Sequence, residues 1–493
     1  SDGIMGSLKK SNFLSAPPRL GTVIPSIPLR NSAHIICANS LTMQWEDFVP
    51  LEDLKYIISN PPFSGSQTMS SEQKAELTEL CQEIDNAGVI DYVAGWYYKA
   101  AELTRFIPDL EFAYVSTNSI TQGRQVAPLF GYLFSKELHI QFAHQTFKWT
   151  NEAKGNAGVY CVVIGMGKNK ECTKKLFSYA KPTSDPISLE VSEINAYLTE
   201  GDERTFVKES DKPLSQVLPM NFGNMPNDNG NLIIEPRDVD EFLQIKQLRP
   251  YIKKLIGSKE FLHNIPRYCL WLTEAPTEIT NLPIVKERID KCRQVRLSSK
   301  RKSTQLGATV PHLFQERRFV KPPESTIVVP AVSSERRHYI PIGIVDNGTI
   351  VTNACHIVLN GSLFELGILE SRMHMTWMRT VCGRLESRYR YSRDLCYNTF
   401  PWPQVNQMQR EQIENLATNV LIAREMHPEM TLAELYDPDK MPDDLKKAHR
   451  ELDMAVDRLY RKKGFENDED RLQHLFKRYE ALVNGEDVAL FED

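Results

Sequence analysis

The chain has 493 residues, a hydrophobic share of 41% and a formal net charge of −5. That length predicts two or three domains with ordinary packed cores, and the composition excludes global disorder. No apolar run reaches the length of a membrane span, no signal peptide is read at the start, and the nine cysteines are scattered, odd in number and free of any C-x-x-C, which reads as reduced thiols in a cytoplasmic protein. The charge is unevenly divided. Residues 286–321 carry eleven Lys/Arg against three acids, whereas residues 404–493 carry 13 against 21. A basic middle of this kind is either a local phosphate-binding surface or a solvated charged loop.

In chain order, residues 1–33 are rich in Pro, Ser and Gly and read as an irregular lead-in. From residue 34, strands and helices alternate. His34 to Cys37 reads as a strand ending at Asn39-Ser40-Leu41, and Tyr56 to Ser59 as the next. Helices are predicted over Ser71 to Ala87 and Tyr92 to Phe106, a strand over Phe112 to Ser116, and a helix over Pro128 to Phe134. His139 to Ala143 and Val159 to Met166 read as closing strands. The alternation predicts a doubly wound α/β sheet over residues 34–215, with polar residues 168–215 as a connector. Residues 216–403 change to short strands and long turns, for example Thr326 to Val329, Tyr339 to Val345 and Ile357 to Leu359, with one helix around Phe364 to Arg379. That segment is predicted to be a separate α+β domain. From 404 onward Leu445, Ala448, Leu452, Val456 and Leu459 recur at helical spacing, predicting a helical C-terminal domain.

The chemistry concentrates where the second strand ends in Asn60-Pro61-Pro62-Phe63. The Asn side-chain oxygen and the Pro61 carbonyl are two acceptors that can converge on one exocyclic amine, because each proline fixes its own φ and restricts the residue before it. Phe63 offers a face on which a base can stack. These are the groups needed to hold a base taken out of a duplex while its amine is methylated. The bland alternative is an ordinary proline turn. Asn39, at the end of the preceding strand, would meet the adenine ring of S-adenosylmethionine in an open α/β sheet, whose ligands lie outside the carboxyl ends of the strands. Positioning supplies most of the rate for methyl transfer to an amine, and no catalytic His, Cys or metal is required.

Several further stretches resemble the MmeI-like DNA methyltransferases of single-chain type II restriction-modification systems. They include Asn39-Ser40-Leu41 with Trp45-Glu46-Asp47-Phe48, Asn60 to Phe63 with Gly65, Asp91-Tyr92-Val93 with Trp96-Tyr97, and Ser116 to Gly123. Phe142-Ala143-His144, Phe147 to Ala153, Asn221 to Asp228, Arg267 to Trp271, Ser333 to Arg337, and Tyr389-Arg390-Tyr391-Ser392 leading to Phe400-Pro401-Trp402-Pro403 complete the match. The resemblance implies an incomplete class I (Rossmann-like) methyltransferase sheet, then a target-recognition domain, then a helical C-terminal region. It implies N6-adenine methylation of double-stranded DNA with S-adenosylmethionine as cofactor. Asn60, Pro61, Pro62 and Phe63 would hold the adenine, and Asn39 and Asn60 would face the cofactor. Phe147 or Trp149 would be a second wall of the base pocket, or else ordinary core. Asn118 and Ser119 would lie near the cofactor or serve a structural role.

Within the recognition domain the resemblance points to Glu386 and Arg388, together with Arg336 and Arg337. A carboxylate accepts from the cytosine amine and Arg pairs bidentately with guanine, so Glu386 and Arg388 could read both halves of one C·G pair. The alternative is an exposed ion pair. Arg293, Arg296, Lys300, Arg301 and Lys302 would contact phosphates. The family's Gly-rich cofactor loop, D-P-x-C-G-x-G, finds no counterpart before Asn39, and its upstream nuclease domain finds none either. Glu152-Ala153-Lys154 matches half of a nuclease signature inside the methyltransferase match and reads as chance. The expectation is therefore a C-terminal fragment of such an enzyme with doubtful cofactor binding of its own. A non-catalytic DNA specificity module is the alternative, and a methyltransferase of RNA or of a protein amide is a third.

Overall fold

The computed structural model describes residues 35–149, 159–321 and 323–486. The lead-in, His34, the Thr150-to-Lys154 stretch and the last seven residues lie outside that range. A six-stranded sheet is built from β1 (Tyr56–Ser59), β2 (Glu111–Thr117), β3 (His139–Trp149), β4 (Val159–Gly167), β5 (Lys174–Tyr179) and β6 (Pro186–Val191), in the order β1-β2-β4-β3-β5-β6. β1 runs parallel to β2, β4 is antiparallel to both β2 and β3, and β3 runs parallel to β5. The carboxyl ends of β1, β2 and β3 therefore lie along one edge of the sheet.

Strict alternation makes β2 a one-sided strand. Phe112, Tyr114 and Ser116 are buried, and between them Ala113 and Val115 are half-buried. Helices α1 (Ser71–Leu80), α2 (Ala94–Leu103) and α3 (Val126–Ser135) cover the Phe112 side. Tyr97 of α2 stands edge-on to Tyr114 at 5.0 Å and bonds Ser116 Oγ at 3.0 Å. Tyr98 stacks on Tyr132 of α3 at 5.0 Å. The opposite face carries no helix among the described residues. Tyr56 is 66% and Ile58 82% exposed there, and β1 is the edge strand among the described residues. The α/β expectation holds, with the helices on a single face of this half of the sheet.

Three local expectations are corrected. Residues 35–37 form no strand: Ile35 and Ile36 are exposed and no described strand pairs with them. The chain instead wraps α2 by turns, with Lys99 Nζ donating to the Ser40 and Leu41 carbonyls at 3.1 Å and lying 4.9 Å from the Trp45 ring. The supposed connector 168–215 contains β5 and β6, which extend the sheet. β6 has no buried side chain, so it is held by backbone pairing rather than by an apolar pattern. The helix expected around Phe364 to Arg379 is two helices, Leu363–Leu369 and Arg372–Val381, each started by a serine cap, Ser362 and Ser371.

The recognition region holds two four-stranded sheets and a three-stranded one. The first is formed by β8 (Ile233–Ile234), β9 (Ile252–Ile256), β10 (Tyr268–Leu270) and β14 (Thr349–Val351). The second is formed by β7 (Met220–Phe222), β11 (Ser325–Pro330), β13 (Gly343–Asp346) and β15 (Cys355–Leu359). The small one joins β12 (Val332–Ser333), β17 (Arg388–Arg390) and β16 (Arg384–Leu385). The C-terminal region is helical as expected, with helices Gln407–Glu425, Asp443–Tyr460 and Asp468–Asn484. Its last helix docks on the segment after the six-stranded sheet, where Tyr197 stacks on Phe476 at 5.5 Å and Lys208 N donates to Tyr479 Oη at 3.0 Å. One apolar core thus runs from the six-stranded sheet to the C-terminal helices.

Candidate base-binding edge and recognition hairpin

Pro61 is buried and pins the loop after β1, while Asn60, Pro62 and Phe63 stand exposed on either side of it. Phe63 is 37% exposed, unusual for a large apolar ring in a proline-stiffened turn. Among the described residues no hydrogen bond engages the Asn60 side chain, so its acceptor is available. The loop continues into α1 through a capping box, in which Ser70 Oγ accepts from Gln73 N at 3.2 Å and Gln73 Oε1 accepts from Ser70 N at 3.0 Å.

Strand register carries the neighbours to the same edge. Thr117 at the end of β2 lies opposite Cys161, which lies opposite Phe147 near the end of β3. Phe147 is half-buried, stacks on Tyr179 at 5.5 Å and lies 6.1 Å from the Trp149 ring, which is 40% exposed. Both aromatics therefore belong to a surface cluster on the strand ends rather than to the deep core. Asn118 reaches across to Thr146 Oγ1 at 3.4 Å, and Ser119 Oγ donates to Asp91 at 2.5 Å. Those bonds favour the structural role for Asn118 and Ser119.

Asn39 is exposed; its Oδ1 accepts from Leu41 N at 3.0 Å and its Nδ2 donates to Glu76 Oε1 at 3.0 Å, so one lone pair and one N–H are engaged by a turn and by α1. The loop after β1 offers acceptors at Asn60 and at the Pro61 carbonyl.

The recognition residues divide. β16 and β17 form a hairpin in which Glu386 takes a left-handed conformation, φ 59°. At its tip Arg388 Nη2 lies 2.9 Å from Glu386 Oε2, with side chains 45% and 79% exposed. Below the tip the Arg384 guanidinium lies 4.0 Å from the Tyr389 ring, which stiffens the ribbon. Arg336 pairs with Asp439 of the C-terminal region. Arg337 is half-buried and donates to Ser333 Oγ at 3.2 Å, and burial pushes its pKa down. Arg337 is thus partly a strut of the small sheet.

Of the basic run, Arg293, Lys300, Arg301 and Lys302 are exposed. Arg296 is not. It is fully buried, and its guanidinium donates to the carbonyls of Pro226, Asn227, Gly307, Val310 and Leu313 at 2.7 to 3.3 Å. Its phosphate assignment is therefore corrected: it clamps two loops onto the helix Pro283–Leu297, whose spacing alone could not reveal that Arg296 faces inward. Asp91 was missed altogether as a functional candidate. It is only 4% exposed and lies behind the loop after β1.

Known proteins share this succession of a mixed sheet, a region of smaller sheets and C-terminal helices. Three family models match consecutive parts of the chain: the MmeI DNA-methyltransferase domain over residues 14–178, the MmeI target recognition domain over 201–404, and the MmeI C-terminal domain over 405–485. The chain belongs to the MmeI family. It is 40% identical over 466 residues to DNA methyltransferase A of Bacillus subtilis (strain 168), covering 94% of this chain and 52% of that protein. The solved structure of the type IIL restriction-modification enzyme MmeI in complex with DNA superposes with a TM-score of 0.83 at 39% identity, covering 94% of this chain and 62% of that one. The chain spans about half the length of the curated relative it matches.

Proposed function

We propose that this chain carries the base-binding and sequence-reading parts of an enzyme that methylates N6 of adenine at a specific double-stranded DNA sequence, within a restriction-modification system of the bacterial cytoplasm. The unengaged, exposed Asn60 beside the exposed Phe63 on the strand edge is the observation that carries this reading. Asn60 Oδ1 and the Pro61 carbonyl accept from the two N–H bonds of the adenine amine, raise its electron density and aim its lone pair. Phe63 stacks on the extruded ring, and Phe147 or Trp149 closes the other side. S-adenosylmethionine would supply the methyl group, and the chain's own part is to extract, hold and orient the base.

The hairpin tip reads sequence, with Arg388 on guanine and Glu386 on the cytosine of one base pair, and Arg336 contributes nearby. Exposed Arg293, Lys300, Arg301 and Lys302 neutralise phosphates, which positions the protein without specifying sequence. Long-read sequencing of DNA from cells expressing the full-length gene tests the reading. Methylated adenine at one short motif, lost in Asn60→Ala while DNA binding persists, is the expected result. DNA free of modified adenine in cells that hold the soluble enzyme would overturn it in favour of a non-catalytic specificity module.

A further inference from the structure

We propose that Asp91 is the positioning residue that sets the loop carrying Asn60 and Phe63 against the edge of the sheet. The inference rests on the base-binding reading of that loop. Asp91 sits at the entrance to α2 and is nearly buried. Its carboxylate joins three segments. Oδ1 accepts from Ser66 N of the loop at 2.8 Å. Oδ2 accepts from Ser119 Oγ at 2.5 Å and from Gln125 Nε2 at 3.0 Å, both in the segment after β2. The backbone completes the knot. Asp91 N donates to Gln125 Oε1 at 2.9 Å, and the next residue, Tyr92, donates its N–H to the Ser64 carbonyl at 2.9 Å.

The segment gathered by Asp91 also meets the rest of the edge. Gln125 Nε2 donates to the Ser119 carbonyl at 2.9 Å, and Asn118, beside Ser119, reaches Thr146, the residue before Phe147. A Cβ on Gly123 would stand 3.1 Å from Gly383 Cα, so the same segment touches the root of the recognition hairpin through two glycines. One carboxylate therefore lies between the loop that would hold the base, the strand end that would wall it, and the base of the hairpin that would read the sequence. A buried carboxylate accepting three charge-assisted hydrogen bonds from different segments fixes them at a definite separation.

Asp91→Asn is the discriminating change because it preserves shape. Its new amide would face Gln125 Nε2 as one donor against another. Flipping the Gln125 amide would turn that donor onto the Asp91 N–H instead. Either way one pair of donors conflicts and the loop loosens. Two readouts test this. In the present chain, hydrogen–deuterium exchange at residues 64–69 is expected to rise about tenfold in Asp91→Asn, with α2 and α3 unchanged. In the full-length enzyme, the turnover number is expected to fall about 100-fold while DNA affinity stays within about twofold. The fluorescence gain of 2-aminopurine at the target position should shrink in parallel. Ser119→Ala, which removes the bond to Asp91 together with the hydroxyl pair between Ser119 and Thr117, should show the same pattern at about threefold to tenfold and guards against a misfolded Asn variant. Unchanged turnover, or equal losses in affinity and turnover, would overturn the proposal. A wild-type enzyme that methylates no adenine, with Asp91→Asn still loosening residues 64–69, would establish the anchor and overturn the adenine reading instead.

Discussion

The loop after β1 and the hairpin of β16 and β17 both stand at the surface, yet they are held in opposite ways. The loop is tied from behind by buried Pro61, by Asp91 and by the Tyr92–Ser64 backbone bond, leaving only Asn60, Pro62 and Phe63 to project. The hairpin tip is tied chiefly to itself, through one exposed pair between Glu386 and Arg388. Its rigidity begins one residue lower, where Arg384 lies over Tyr389. The contrast separates two physical demands. On the proposed function, chemistry on an amine needs acceptors held to a fraction of an ångström, which an over-determined loop supplies. On the same proposal, reading a base pair needs only the right donor and acceptor on a stiff stalk, so the tip can change its residues at little cost to the fold.

The largest expected effect tests whether the stalk is as rigid as its tip is free. Arg296→Ala would leave the Asn227 and Leu313 carbonyls without a donor, strip a second donor from Pro226, Gly307 and Val310, and open a cavity, and should destabilise the recognition domain by about 3–5 kcal/mol, read as a lower denaturant midpoint. A midpoint equal to wild type would mean that water replaces the clamp without cost.

Acidification should discriminate the two regions next. Burial pushes His356 down to about 4, His374 to about 3 and His474 to about 4. Each is protonated in the unfolded chain below about pH 6.5 but neutral in the folded protein, so the folded state binds fewer protons and stability falls as pH drops from 6.5 toward 4. Each group contributes up to about 1.4 kcal/mol per pH unit. Asp453, pushed up to about 6 mainly by burial, has the opposite sign and offsets about one of the three. Urea unfolding at pH 7, 6 and 5 should show a falling midpoint for the recognition and C-terminal regions. A flat profile would contradict the buried neutral imidazoles.

Phe63→Ala should slow methylation by the loss of about 1–3 kcal/mol of base stacking while lowering the melting temperature only slightly, because the ring is 37% exposed. Turnover equal to wild type would move base stacking to another side chain. Exchanging the residues at 386 and 388 should alter the base recognised at one position of the methylated motif and leave thermal stability untouched, since an exposed pair contributes little. An unchanged motif would return both residues to the class of surface ion pairs. Smallest of all, Ile58→Lys on the bare sheet face should shift the stability of this chain by less than about 0.5 kcal/mol. A larger loss would show that something covers that face.

What the sequence by itself determined was local. The apolar run of β1, the strand over Phe112 to Ser116, the proline-stiffened tip at Asn60 to Phe63 and the helical spacing from Leu445 to Leu459 all follow from neighbours a few residues apart, and each appears where expected. The tertiary structure alone decided the features that depend on distant partners. β5 and β6 are strands because the open side of β3 supplies backbone bonds that their polar side chains do not advertise. Arg296 turned inward because five carbonyls from loops 11 to 70 residues away converge on it. Asn39 bonds Glu76, 37 residues away, and Asp91 became a junction through contacts 25 to 34 residues distant. A residue's type sets which bonds it can make. Only the folded chain decides whether those bonds go to water, to a substrate or to the protein itself.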